Sequence, residues 1–293
     1  MTSAIPPTRI GPETFAWGTR TYVMGILNIT PDSFSGDGLL ATDDPAAAAD
    51  TVAAAVATAR RMVAEGADLL DIGGESTRPG HAAVSAEAEA ARVVPVIAAV
   101  RAALPSTPIS VDTTKVRVAE LAIDAGADLI NDVWGVGPDE DLARLAATRG
   151  LPLVVMHNRA EPVYADLMGE IVGELRAAVE RAVRLGVARG DVIVDPGFGF
   201  GKTAEHNLVV LRDLAALSTL GRPILLGASR KSTLGKVLDL PADQRLEATL
   251  ATTALGIANG ADLVRVHDVE ANVRVARMTD AVVRGSWHPD DLS

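Results

Sequence analysis

Near the end of the chain, "LVRVHD" places Arg265 and His267 in alternation with Val264 and Val266. On an extended strand the two cationic side chains share one face and the valines take the other. A buried guanidinium without a partner is costly, so that face needs an anion or a carboxylate. Other apolar runs also end in polar groups. They deliver Asn28, Glu75 with Thr77 and Arg78 in "GGESTRPG", Asp112 in "SVDTTK", and Asn131 in "LINDVWG". His157 follows Met156, Asp195 stands in "VIVDPGFGFGKT", and Ser229, Arg230 and Lys231 stand in "GASRKS". Singly, several have plain structural explanations. Asp112 would cap the next helix, Asn131 would satisfy backbone in a turn, Asp195 before Pro196 would form a turn, and Lys231 would be a solvated charge. Polar groups at the ends of all the apolar runs argue instead for one site.

The groups sort by chemistry. Asp112, Asn131, Asp195 and Lys231 combine acceptors and donors suited to the edge of a polar heterocycle. Arg78, Arg265 and His267, with nearby backbone N–H groups, suit a phosphate-like anion. Asn28 offers a hard oxygen that Mg²⁺ accepts when the anion supplies other ligands. The set fits displacement of a phosphate or diphosphate leaving group, with no obvious protein nucleophile. Familiar alternatives fail on spacing. "PGFGFGKT" has Pro196 where a phosphate loop needs Gly, and Lys202 takes the last Gly position of G-x-G-x-x-G. "GASRKS" has Lys231 where a nucleophile elbow needs Gly. No H-E-x-x-H occurs, and the five histidines lack zinc spacing.

Eight elements must carry these groups. "EGADLLDIGG" at 65–74, "AGADLINDVWG" at 125–135 and "NGADLVRVHD" at 259–268 repeat one phrase, and 150–158, 189–197 and 220–229 vary it. The phrase reads as a helix closed by Gly, a short loop, then a buried strand. Runs at 22–28 and 107–113 bring the strands to about eight. The spacing predicts helices over 45–65, 84–104, 115–126, 138–149, 166–188, 205–220, 241–258 and 269–284. Continuous rather than alternating apolar runs mark parallel strands buried on both faces. The expected fold is α/β, a (β/α)8 TIM barrel, with an open doubly wound sheet as the alternative. Residues 1–293 are read as one barrel domain, with 1–20 forming an N-terminal arm or hairpin over its bottom.

Bulk composition narrows the classes. At 48% hydrophobic but only 3% aromatic, the core must be built from aliphatic residues. With no cysteine, disulfides, thiolate catalysis and Cys-ligated metal are excluded. A net charge of −11 argues against nucleic acid as a partner. No leader-like segment and no apolar run of about 18 residues is present, so a cytoplasmic protein without membrane association is expected.

Together "MGILNITPDSFSGDG", "DIGGESTRPG", "SVDTTK", "GADLINDVWG", "MHN", "DPGFGFGKT", "GASRKS" and "RVHDV" resemble dihydropteroate synthases, in order from about residue 22 to 284. The resemblance implies Mg²⁺-dependent joining of 6-hydroxymethyl-7,8-dihydropterin diphosphate to p-aminobenzoate, releasing pyrophosphate. It implies that Asp112, Asn131, Met156, Asp195, Lys231 and Arg265 hold the pterin. Asn28, Arg78, Arg265 and His267 would hold the diphosphate, Asn28 through Mg²⁺. Thr77, Arg78, Phe200, Lys231 and Ser232 would border p-aminobenzoate, where sulfonamides also bind. Asp112, Lys231, Arg265, His267 and Asp37 would be the catalytic set. The stretch "NITPDSFSGDGLL" would be a loop folding over the diphosphate and excluding water from the cationic pterin methylene. Here Gly36 precedes Asp37, where the family commonly reads "SFSDGG". After His157, "NRAEPVY" also departs from the usual "RGTP"-like form. A homodimer follows from resemblance alone. The rival readings are a pterin-dependent methyltransferase, which should lack the "SRK" and "RVHD" groups, and a non-catalytic pterin-binding paralogue.

Overall fold

The phrase Gly-Ala-Asp recurs because one physical problem recurs. A helix must stop, turn and enter a buried strand. Residues 5–29, 45–75, 84–135 and 140–287 are described in a computed structural model of the chain. In it Gly66, Gly126 and Gly260 have φ of +103°, +116° and +100°, the left-handed conformation that glycine adopts without strain. Paired bonds close each helix, as in Gly66 N–H to Val63 O (3.0 Å) and Ala67 N–H to Met62 O (2.9 Å). The aspartate then reaches sideways. Asp68 accepts from Val23 N–H (2.7 Å), Asp128 from Ile109 N–H (2.9 Å) and Asp262 from Ile224 N–H (3.1 Å). Each repeat thus clips the entry of a neighbouring strand.

Two short strands, β1 (Thr8–Ile10) and β2 (Glu13–Phe15), form an antiparallel hairpin. Then come β3 (Tyr22–Asn28), α1 (Pro45–Ala64), β4 (Leu69–Gly73), α2 (Ala86–Ala103), β5 (Ile109–Asp112) and α3 (Val116–Asp124). The alternation continues through β6 (Leu129–Asp132), α4 (Asp141–Arg149), β7 (Leu153–Met156), α5 (Leu167–Arg184), β8 (Val192–Asp195) and α6 (Ala204–Arg212). The last elements are β9 (Leu225–Leu226), α7 (Ser232–Leu238), α8 (Leu246–Ala258), β10 (Leu263–Val266) and α9 (Val269–Val283). The eight parallel strands run in the order β8-β7-β6-β5-β4-β3-β10-β9. A parallel bridge from Val194 to Ile224 brings β8 and β9 together. The fold is therefore a TIM barrel and not an open doubly wound sheet. Register aligns Asn28, Gly73, Asp112 and Asn131 at the C-terminal ends of β3 to β6.

Two expected helices differ in detail. The span 205–220 is divided into α6 and a 3-10 segment, Leu214–Leu220, where the Asn259 amide donates to the carbonyls of Leu211 and Arg212. The span 241–258 starts as helix only at Leu246, after a 3-10 turn. The short helix α7 was not expected. It ends at Asp239, whose φ is +55°, just before Pro241.

At the N-terminal ends of the strands the hairpin acts as a plug. Ile10, Phe15, Trp17 and Tyr22 pack against Met24, Leu69, Leu129, Val154, Ile193, Leu225 and Leu263. Phe15 lies 5.5 Å from the Trp17 ring and 4.6 Å from Tyr22. Trp17 Nε1 donates to Thr8 Oγ1 (2.8 Å), and Thr8 donates to Gly190 O (2.6 Å), so the buried polar atoms are satisfied. Phe15→Ala should lower stability by about 3–5 kcal/mol, the usual cost of removing a buried aromatic ring. Urea unfolding measures it, and a loss below about 1 kcal/mol would show that the hairpin is not part of the core.

Candidate active site

Arg265 leaves β10 pointing into the upper barrel, and the cost of burying its guanidinium is met by two carboxylates. Nε donates to Asp71 Oδ2 at 2.5 Å, and a terminal nitrogen donates to Asp112 Oδ2 at 2.7 Å. Asn131 Nδ2 also donates to Asp71 Oδ2, at 3.1 Å. β10, β4, β5 and β6 are thereby joined at one point. Asp71 is fully buried and Asp112 nearly so. Burial opposes the guanidinium charge, but Asp71 and Asp112 outweigh it and hold Arg265 protonated. Burial pushes Asp112 up to about 7, against the attraction of Arg265 and with repulsion from Asp71 adding to it. Asp112 is not a helix cap: α3 is capped at Lys115 without a side-chain bond. The turn after β6 is made by Asp132, which accepts from Trp134 N–H, and not by Asn131.

Asp195 ends β8 beside this cluster. Its Oδ1 accepts from Gly197 N–H at 2.7 Å, so the turn reading is part of its role. Burial raises its carboxyl to about 6, with that N–H and the Lys231, Lys202 and Arg265 cations opposing. Gly227 keeps a space open here. A Cβ on it would lie 3.9 Å from the Arg265 Cβ and 4.0 Å from Asp195 Oδ2. Lys231 is not a freely solvated charge, since its ammonium lies 3.9 Å over the Phe200 ring. The acids, the amide and the two cations therefore lie close together at the C-terminal rim, with Met156 buried at the end of β7.

The Ser229–Lys231 turn is held from outside the site. Arg230 has φ +54°, and its guanidinium grips Asp268 through bonds of 3.0 and 2.5 Å. Its N–H reaches Thr249 Oγ1, while Arg245 donates to the carbonyls of Arg230 and Lys231. His267 Nδ1 lies 3.0 Å from Ser229 Oγ, which ties it to the same turn. Ser232 opens α7 and is exposed. Asn28 is half-buried at the end of β3. Among the described residues no three acidic or histidine side chains converge on a metal position. A divalent ion at Asn28 therefore fits only if a bound anion brings most of its ligands. Asp37, Thr77 and Arg78 lie outside the described residues.

Three side chains were not singled out from the sequence. Asp71 sits inside "LLDIG", where an acid in an apolar run was the available signal. Lys202 is half-buried behind the Asp195 loop, bonded to backbone carbonyls and to His157. Lys115 bridges Glu75 and the buried Glu89 at 2.5 and 2.6 Å, and Glu75 accepts from Val84 N–H. Glu75 is thus engaged in the support of this rim.

The family model for pterin-binding enzymes matches residues 24–267. The dihydropteroate synthase of Clostridium beijerinckii is 48% identical over 94% of this chain and 99% of its own. The crystal structure of the Clostridium difficile enzyme, obtained in the presence of pteroic acid, has a TM-score of 0.86 at 47% identity, covering 92% of this chain and 99% of that one. That of the Xanthomonas albilineans enzyme with 4-aminobenzoic acid has a TM-score of 0.86 at 40% identity, covering 94% and 98%. With a barrel of the same shape and a match that runs over most of its length, the chain belongs to the pterin-binding enzyme family.

Proposed function

We infer that this chain is a dihydropteroate synthase, joining 6-hydroxymethyl-7,8-dihydropterin diphosphate to p-aminobenzoate with release of pyrophosphate. The observation that carries the reading is the rim cluster of Asp112, Asn131, Asp195 and Lys231 around Arg265. In this reading the carboxylates of Asp112 and Asp195 accept the ring N–H groups of the pterin, and Asn131 and Lys231 complete its polar edge. Arg265, already held flat by Asp71 and Asp112, offers its plane for stacking, and Met156 borders the ring. His267 and Arg265 would face the diphosphate, with Arg78 as a further ligand implied by the family resemblance. Asn28 would hold Mg²⁺ together with diphosphate oxygens, and the ion would neutralise charge on the leaving group.

The pterin C–O bond breaks, its electron pair leaves with pyrophosphate, and the cationic methylene is attacked by the aniline nitrogen, which then sheds a proton. The chain's residues orient both partners and stabilise the charges. Phe200, Lys231 and Ser232 would border p-aminobenzoate, with Thr77 and Arg78 joining them by family resemblance, which makes sulfonamides the expected inhibitors. Asp37 would act from the first loop. We also propose one barrel domain over 1–293, a homodimer and a cytoplasmic location. For the last, what supports the reading is that no described helix is long and apolar enough to cross a membrane.

Dihydropteroate and pyrophosphate should form in equal amounts from the two substrates and Mg²⁺. Lys231→Ala or Asp112→Ala should lower kcat/KM on the order of a hundredfold or more, because each removes a charged partner of the bound substrate. Pterin binding without product would make the chain a non-catalytic paralogue. The pH profile gives a separate check. A carboxyl raised to about 7 loses its charge as pH falls through that value. The kcat/KM for the pterin diphosphate should therefore be flat above pH 7 and fall roughly tenfold per unit below it. Asp71→Asn should move that break to lower pH by relieving repulsion on Asp112, and an unmoved break would contradict the assignment.

A further inference from the structure

The loop after β8 is wound around a lysine that the proposed reaction leaves without a task. Lys202 Nζ lies 3.1 Å from Gly197 O, 3.0 Å from Phe200 O, 3.5 Å from His157 O and 2.9 Å from His157 Nδ1. Such a wrap needs glycine. Gly197, Gly199 and Gly201 have φ of +70°, +85° and +55°. A Cβ on Gly197 would lie 1.8 Å from His157 O, and one on Gly201 2.4 Å from Arg159 O. The backbone has been folded so that three carbonyls and an imidazole converge on one ammonium.

The charged groups around Lys202 are Asp195, Arg159 and Glu174. Burial pulls Lys202 down to about 7, with the Asp195 carboxylate opposing and Arg159 adding to the shift. Burial, followed by the Lys202 cation, pulls His157 down to about 4, so its ring is neutral and Nδ1 can accept. The other ring nitrogen lies 3.1 Å from Glu174 Oε2, but off the hydrogen-bonding direction. Glu174 is itself engaged by Arg159.

What this lysine fixes is the wall carrying Phe200. The Phe200 carbonyl is one of its ligands, and the Phe200 ring lies beneath the Lys231 ammonium. One residue earlier, Gly199 N–H donates to Asn207 Oδ1 at 2.7 Å, and a Cβ on Gly199 would press to 3.0 Å on the Lys231 side chain. Lys202 thus sets the height of the loop against Lys231 from behind. We propose that Lys202, latched to His157, is a positioning residue that holds Phe200 for the aromatic amine substrate. The inference rests on the assignment of that substrate to the Phe200 side of the site.

Lys202→Met keeps the length of the stem and removes the Nζ donor, which bonds the loop carbonyls as ammonium or as neutral amine. At pH 8, where Asp195 stays ionised without the neighbouring cation, KM for p-aminobenzoate should rise about tenfold, and KM for the pterin diphosphate should change less than about threefold. Backbone amides at 199–201 should exchange about tenfold faster while those of β7 and β8 stay protected. His157→Leu should reproduce the split. His157→Asn, which returns an oxygen acceptor to the same position, should restore the p-aminobenzoate KM to within about threefold. Equal losses for both substrates, or an unchanged p-aminobenzoate KM, would overturn the proposal in favour of a purely structural lysine. If Lys202→Met fails to fold, the two His157 variants decide. If the unaltered protein makes no dihydropteroate, the functional reading fails on that result alone. Unchanged exchange at 199–201 in Lys202→Met would instead end the latch.

Discussion

The upper half of this barrel depends on one buried guanidinium shared by two carboxylates. Arg265 joins β10 to Asp71 on β4 and Asp112 on β5, across 194 and 153 residues of sequence. Taking these three charges out of water is costly, and close pairing offsets the cost only while all partners remain. Breaking a buried pair costs about 3–5 kcal/mol because it strands a charge. Burial lifts the Asp112 carboxyl to about 7, with Arg265 opposing the rise and repulsion from Asp71 adding to it. The interaction that closes the rim therefore also tunes the ionisation of a carboxyl at its edge.

Stability and chemistry are placed at opposite ends of the strands. At the bottom, aromatic packing under the hairpin and the Gly-Ala-Asp clips hold strand entries in register. At the top, satisfied side chains stand behind exposed ones. Arg245, Thr249 and Asp268 hold the turn that presents Lys231, and Lys115 holds Glu75. Fixing the bottom tightly lets the top keep strained features such as the positive φ of Arg230.

How much of this was legible in the sequence differs by level. The eight strands and their order follow from apolar runs separated by glycine-closed helices, because both are local. Closure of the sheet is not local, and only the Val194–Ile224 bridge decides it. Alternation places Arg265 and His267 on one face, but it cannot name their partners. One meets carboxylates, the other the Ser229 hydroxyl. Asp71 carries one local signal, an acid inside an apolar run, but the partner that explains it lies on β10. In the sequence Lys202 stands only at the end of a glycine pattern that fails as a phosphate loop. Its glycines serve a cation inside the protein rather than an anion outside it, and sequence spacing does not distinguish the two.

In the proposed reaction Lys231 belongs to both substrates, and its surroundings explain how. Its ammonium lies over Phe200, while its charge acts on both Asp112 and Asp195. It thus stands at the junction between the heterocycle edge and the aromatic wall. A reaction through a cationic methylene gains from carboxylates fixed nearby before the leaving group departs, since they need not reorganise as charge develops. A nucleophilic side chain at the same place would compete with the aniline nitrogen for that cation. A rim of paired acids, an amide and guarded cations therefore suits the proposed chemistry, and water must be kept out by whatever covers the rim.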